Sequence, residues 1–92
     1  MRIVKHQRLQ PEVIGARLKA LRLALGYDRA NSFCRFVDVS DRAWSHYENG
    51  RRLITVKDGI KLVIKTDVTL SWIYLGWEHT LPVHVAEKLR GL

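Results

Sequence analysis

Residues 39–52 read VSDRAWSHYENGRR. Ser40 is a good helix N-cap, because its hydroxyl can accept from an orphan amide of the first turn. Ala43, Trp44 and Tyr47 then share one side of a helix that runs from Asp41 to Asn49 and stops at Gly50. The other side carries Asp41, Arg42, Ser45 and His46, and Arg51 and Arg52 follow directly. A short helix anchored by two aromatics, with polar side chains over its first two turns, has the form that enters a DNA major groove. The arginine pair falls where the flanking phosphates would lie.

Upstream, Asp38 tolerates the left-handed backbone conformation that a tight turn demands. Before it, Ala30, Phe33, Cys34 and Val37 have the spacing of a short helix, and Asp28 is placed to cap it. Cys34 lies on the apolar face of that helix and reads as a small buried hydrophobe rather than a reactive thiol. Pro11 suits a first helical turn, where a missing N–H costs nothing. Ile14, Leu18, Leu21 and Leu25 then recur at steps of four, three and four, with Arg17, Lys19 and Arg22 off the stripe. This predicts a first helix over 11–25, stopped by Gly26.

Downstream, Thr55 and Asp58 are spaced as a capping box, with Asp in place of the usual Glu. Val56, Ile60, Val63 and Ile64 are the expected buried stripe of a fourth helix. Gly59 inside it costs about 1 kcal/mol against Ala, which points to a close helix–helix approach. Thr69 caps a short fifth helix ended by Gly76. Pro82 opens a last one, with Leu81, Val85 and Leu89 four apart. No segment alternates as a strand does. The fold class is all-α: five short helices and a C-terminal sixth.

The chain has 92 residues, enough for one domain. Sixteen Lys and Arg against nine Asp and Glu give a net charge of +7, which favours a polyanionic partner. Most of residues 1–10 reads as a basic arm with Arg2, Lys5, His6 and Arg8, either a solvated terminus or a phosphate-contacting one. A single cysteine excludes an internal disulfide and a CxxC metal site. His6, His46, His79 and His84 lack metal-ligand spacing, and there is no Gly-rich phosphate loop or nucleophile elbow. An enzyme is therefore not expected, nor a cofactor. Apolar runs are too short to span a membrane and no signal-peptide core is present, so a soluble, cytoplasmic chain is expected. Trp72, Ile73, Trp77, Leu81, Val85 and Leu89 serve either as core or as a homodimer seam.

Residues from about 12 to 77 resemble the Cro/repressor-type helix-turn-helix family, whose domains are lambda-repressor-like. IGARLKALRLALG resembles the family's first helix and VSDRAWSHYENGRR its recognition helix and following loop. TVKDGIKLVIKTDVTL resembles the fourth helix and SWIYLG the closing one. The resemblance implies a basic arm at 1–10, a DNA-binding domain over 11–77 and a helical extension over 78–92 that could serve dimerisation. It implies a regulator, most simply a repressor, that binds an inverted-repeat operator in double-stranded DNA as a homodimer, nucleoid-associated when bound. The alternative use of the fold is a protein-binding module of antitoxin or antiactivator type, with a protein partner.

Residue by residue, the resemblance places Asp41, Arg42, Ser45 and His46 against base edges. Arg42 is suited to guanine O6 and N7, and Asp41 either accepts from cytosine N4 or only favours the helix N-terminus. It places Arg22, Arg29, Asn31, Ser40, Arg51 and Arg52 against the DNA backbone, and it pairs Arg22 with Glu48. The sequence departs from the family pattern in several places. The loop after Gly26 is one residue longer, Ala30 stands where a phosphate-contacting Gln is usual, and Cys34 and Asp38 replace a small residue and the turn Gly. Arg29 or Asn31 is then left to make the phosphate contact at that helix.

Overall fold

Pro11 takes the first helical position of α1 (Pro11–Ala24), after an extended Gln10. Residues 9–91 are described by a computed structural model; Arg2, Lys5, His6 and Arg8 of the expected arm lie outside the described residues. At the end of α1 the Gly26 amide donates to Leu23 O and the Tyr27 amide to Arg22 O, which satisfies carbonyls the helix leaves open. The second helix, α2 (Ala30–Val37), is capped by Arg29 in an extended conformation with no side-chain bond. Asp28 therefore does not cap it, contrary to the sequence expectation; its backbone carbonyl instead accepts from Arg22 Nη1 at 2.8 Å. Asp38 ends α2 with φ 63°, the left-handed turn its side chain tolerates.

Ser40 Oγ accepts from the Ala43 amide at 3.1 Å and starts α3 (Asp41–Glu48). Thr55 Oγ1 accepts from the Asp58 amide at 3.1 Å and starts α4 (Val56–Thr66). Only this half of the capping box forms, because the Asp58 carboxylate accepts from Tyr47 OH at 2.6 Å. Thr69 Oγ1 caps α5 (Leu70–Leu75) by accepting from the Trp72 amide at 2.9 Å. A 3₁₀ turn over Glu78–Thr80, not anticipated from sequence, leads into α6 (Val83–Leu89). Thr80 Oγ1 lies 2.6 Å from Thr69 Oγ1 and ties that turn to the start of α5. Among the described residues the fold is all-helical, and no helix is long and apolar enough to cross a membrane.

The central element is α1, which packs on α3, α5 and α6, while α2 packs on α3 and α4. Leu18, Leu21, Phe33, Val37, Trp44, Leu62 and Ile73 are all but inaccessible at its heart. Burying each such side chain contributes about 1.5–3 kcal/mol. One expectation about the core is corrected. On α4 the buried positions are Gly59, Leu62 and Thr66, with Val63 partly covered, whereas Val56, Ile60 and Ile64 are 57 %, 44 % and 72 % exposed. Gly59 explains the rotation. A Cβ there would sit 3.1 Å from Leu70 Cδ2, so α5 approaches α4 along the glycine face. For the C-terminal apolar residues, expected either as core or as a seam, burial decides. Trp72, Ile73, Leu81 and Val85 are buried and Leu89 packs against them, so they belong to this chain's own core and not to a seam. Trp77 alone of that set is half exposed, stacked on His79 with ring centroids 5.6 Å apart. Residues 78–91 thus complete the core rather than extend from it.

At Gly15, α1 and α3 approach closely. A Cβ on Gly15 would lie 2.5 Å from Tyr47 O and 2.8 Å from Glu48 O, both backbone atoms. Gly→Ala inside a helix normally adds about 1 kcal/mol. Here Gly15→Ala is expected instead to lose about 1–3 kcal/mol, because α3 must move away as a unit. The urea-denaturation midpoint reads the sign directly, and a rise would show that α3 shifts without cost.

Candidate nucleic-acid interface

Trp44 and Tyr47 hold α3 to the core by burial, and each side chain also makes a polar bond, one within α3 and one to α4. Trp44 Nε1–H donates to Glu48 Oε2, and Tyr47 OH donates to Asp58. Burial and the Asp58 carboxylate raise the Tyr47 pKa, so the phenol stays a donor. At the C-terminal end Glu48 is gripped by Arg22, with Nη2 to Oε1 at 2.7 Å and Nε to Oε2 at 3.1 Å. Arg22 Nη1 also donates to Tyr27 O at 2.7 Å and to Asp28 O at 2.8 Å. Four of its five N–H groups are therefore engaged inside the protein. The hydrogen bond to Glu48 is the largest cause of a pKa raised above the ordinary arginine value.

This arrangement corrects one expected site residue. Arg22 is 6 % exposed and faces inward, so it positions α3 and is not displayed toward a phosphate. Its pairing with Glu48 is as expected. Tyr27 O, Asp28 O and the Trp44 indole as further partners had no signature in the sequence.

The opposite side of α3 is open. Asp41, Arg42 and Ser45 are exposed and His46 is half-buried, with Asp41 and Ser45 bordering the hollow between α2 and α3. Asn49, which was not among the expected site residues, is exposed beside them. Its Nδ2 donates to Ser45 O at 2.8 Å and closes the helix end, and its position four residues after Ser45 was the available signal. Gly50 turns the chain with φ +74°, and a Cβ there would meet Glu12 Cα at 3.0 Å, so a larger residue is excluded twice over. The turn delivers Arg51 and Arg52, both exposed, beside the same face. The Arg51 amide donates to His46 O at 2.9 Å, which fixes the backbone independently of the side chain.

His46 reports the resulting field. Its pKa is lowered by partial desolvation, and then by Arg52, Arg51 and Arg42. All three arginines are exposed, Arg42 in the first turn of α3 and Arg51 and Arg52 just past its end. Among the described residues no carboxylate lies within ion-pair distance of any of the three. Arg29 and Asn31 are exposed where α2 begins, and Ser40 is exposed with its Oγ engaged as the cap. Between α2 and α3 a hollow of about 320 Å³ is lined by Asn31, Cys34, Asp41, Ser45 and Glu48, among others. Burial, reinforced by the neighbouring Asp41 carboxylate, pushes the Cys34 thiol up to about 12. The thiol stays protonated and unreactive at neutral pH. No protein-family model, curated protein or solved structure matches the chain.

Proposed function

We propose that the protein is a sequence-specific, double-stranded DNA-binding regulator of Cro/repressor type, with α2 and α3 as its helix-turn-helix. The observation that carries this reading is the set of three exposed arginines, Arg42 in the first turn of α3 and Arg51 and Arg52 just past its end, none with a carboxylate within ion-pair distance among the described residues. Cations left without acid partners keep their charge available for an external polyanion. Their placement divides the labour. Arg42, in the first turn of α3, is the base-reading residue, and a bidentate bond to guanine O6 and N7 suits it. Ser45 and His46 add donors and acceptors one turn further along. Arg51 and Arg52 lie past the helix end and meet phosphates, as Arg29 and Asn31 do at the start of α2.

The regulator acts without a cofactor in the cytoplasm, as a homodimer on an inverted repeat, and it represses by occupying that site. A selection of bound duplexes from a random DNA pool tests this, and a palindromic consensus is the expected outcome. Failure to enrich any sequence would turn the reading toward a protein partner. On the selected site Arg42→Ala is expected to cost about 1–3 kcal/mol and to relax preference at one base pair. Wild-type affinity together with wild-type base preference in a gel-shift titration would remove Arg42 from its assigned role.

A further inference from the structure

A second hollow, of about 350 Å³, opens where the end of α1, α2, the end of α4 and α6 meet. It shares no residue with the α3 face. One wall is aromatic: Tyr27 and Phe36 stack with ring centroids 5.6 Å apart and planes 17° apart. Leu25 and Val85 add aliphatic surface. The rim is cationic. Lys65 extends over the Phe36 ring, its Nζ 5.8 Å from the centroid, and Lys88 stands on α6. Among the described residues neither lysine has a carboxylate within ion-pair distance. The rim's acid, Asp67, is turned to His84, with Oδ2 and Nε2 3.6 Å apart. Four of its nine lining residues are apolar or aromatic and five are polar or charged, a mixed lining that suits an amphiphilic ligand, and the volume lies at the small end of the range for small-ligand sites.

We propose that this hollow binds a small amphiphilic anion, an aromatic or apolar body bearing one carboxylate or phosphate. The body rests against Phe36 and Tyr27, taking the place Lys65 now occupies over the ring. The anionic group is held between the ammoniums of Lys65 and Lys88. A ligand so placed would clamp α6 to α2 and α4. It would also bear on Tyr27, whose backbone carbonyl accepts from Arg22, the residue that grips Glu48 at the end of α3. The proposal does not depend on the DNA reading and is tested without nucleic acid.

The test is a titration of the full chain, followed by amide and side-chain NMR shifts, with phenyl phosphate, benzoate, inorganic phosphate and benzyl alcohol as probes. Saturable shifts at Tyr27, Phe36, Lys65 and Val85 are expected with the first two probes. Inorganic phosphate, which lacks the apolar body, and benzyl alcohol, which lacks the charge, are each expected to bind at least tenfold more weakly. Lys65→Ala combined with Lys88→Ala should lose at least tenfold in affinity for phenyl phosphate. Both lysines are exposed, so circular dichroism should show the fold intact. Equal binding of inorganic phosphate, shifts centred on Arg42 and Arg51 instead, or an undiminished response in the double variant would each overturn the proposal.

Discussion

Replacing Glu48 by Ala is expected to remove about 3–5 kcal/mol of folding stability, a large part of what a domain of this size possesses. The loss has three sources. The Arg22 guanidinium, with its side chain 7 % exposed, keeps its charge but loses both bonds to the carboxylate. The buried Trp44 indole loses the acceptor for its N–H. The carboxylate's own volume, at the joint between α1 and α3, is left unfilled. Desolvation dominates the cost, since an unpaired buried charge is far more expensive than the pair is favourable. Glu48→Gln should lose less, because its amide oxygen still accepts. Combining Arg22→Met with Glu48→Met should recover part of the loss but not all of it, since Tyr27 O and Asp28 O then lack the donors that Arg22 supplied. Urea denaturation of the four proteins gives the ordering. A Glu48→Ala protein within about 1 kcal/mol of wild type would mean that water reaches Arg22 and that the pair is effectively a surface one.

The elements whose ends are set by local chemistry were legible in the sequence. Ser40, Thr55 and Thr69 cap as their side chains demand, and Asp38 takes the left-handed turn that few residues accept. Periodicity alone failed on α4 because that helix is apolar on two sides. Val56, Ile60 and Ile64 form one regular stripe, and Gly59, Leu62, Val63 and Thr66 form the other. A hydropathy count favours the first. The structure uses the second, since the glycine admits α5 and the Thr66 hydroxyl satisfies itself on Leu62 O at 2.7 Å. Gly15 was silent for a related reason: an unremarkable glycine in a helix shows its purpose only when the facing carbonyls of α3 are in place.

The candidate site was legible in its residue types and not in which of its cations stay exposed. Arg22, Arg51 and Arg52 were all expected against the DNA backbone, yet the first is buried inside the protein and the other two are displayed. The Glu48 pairing was legible, but the burial of Arg22 and its bonds to Tyr27 O and Asp28 O are created by packing. The same packing turns Asp58 from a capping partner of Thr55 into the acceptor for Tyr47, an exchange no local rule anticipates.

Joint replacement of Arg51 and Arg52 by Ala is expected to weaken binding to every DNA duplex alike, by about 60-fold at 0.1 M salt. The magnitude follows from counterion release. Each phosphate neutralised contributes a slope of about 0.9 in log K against log salt, so two contacts are worth nearly two decades over a tenfold dilution from molar salt. The same two contacts should make the slope shallower by about 2. Stability serves as the internal control. Both side chains are exposed, and the local backbone is held by the Arg51 amide on His46 O, which the substitution keeps. The denaturation midpoint should therefore stay in place while affinity falls. Fluorescence anisotropy on a selected and a scrambled duplex, over a salt series, separates the outcomes. Parallel losses with parallel changes of slope fit contacts to phosphate, whereas a loss confined to the selected duplex would make the pair readers of sequence and move the base-contacting surface from the first turn of α3 to the loop beyond it.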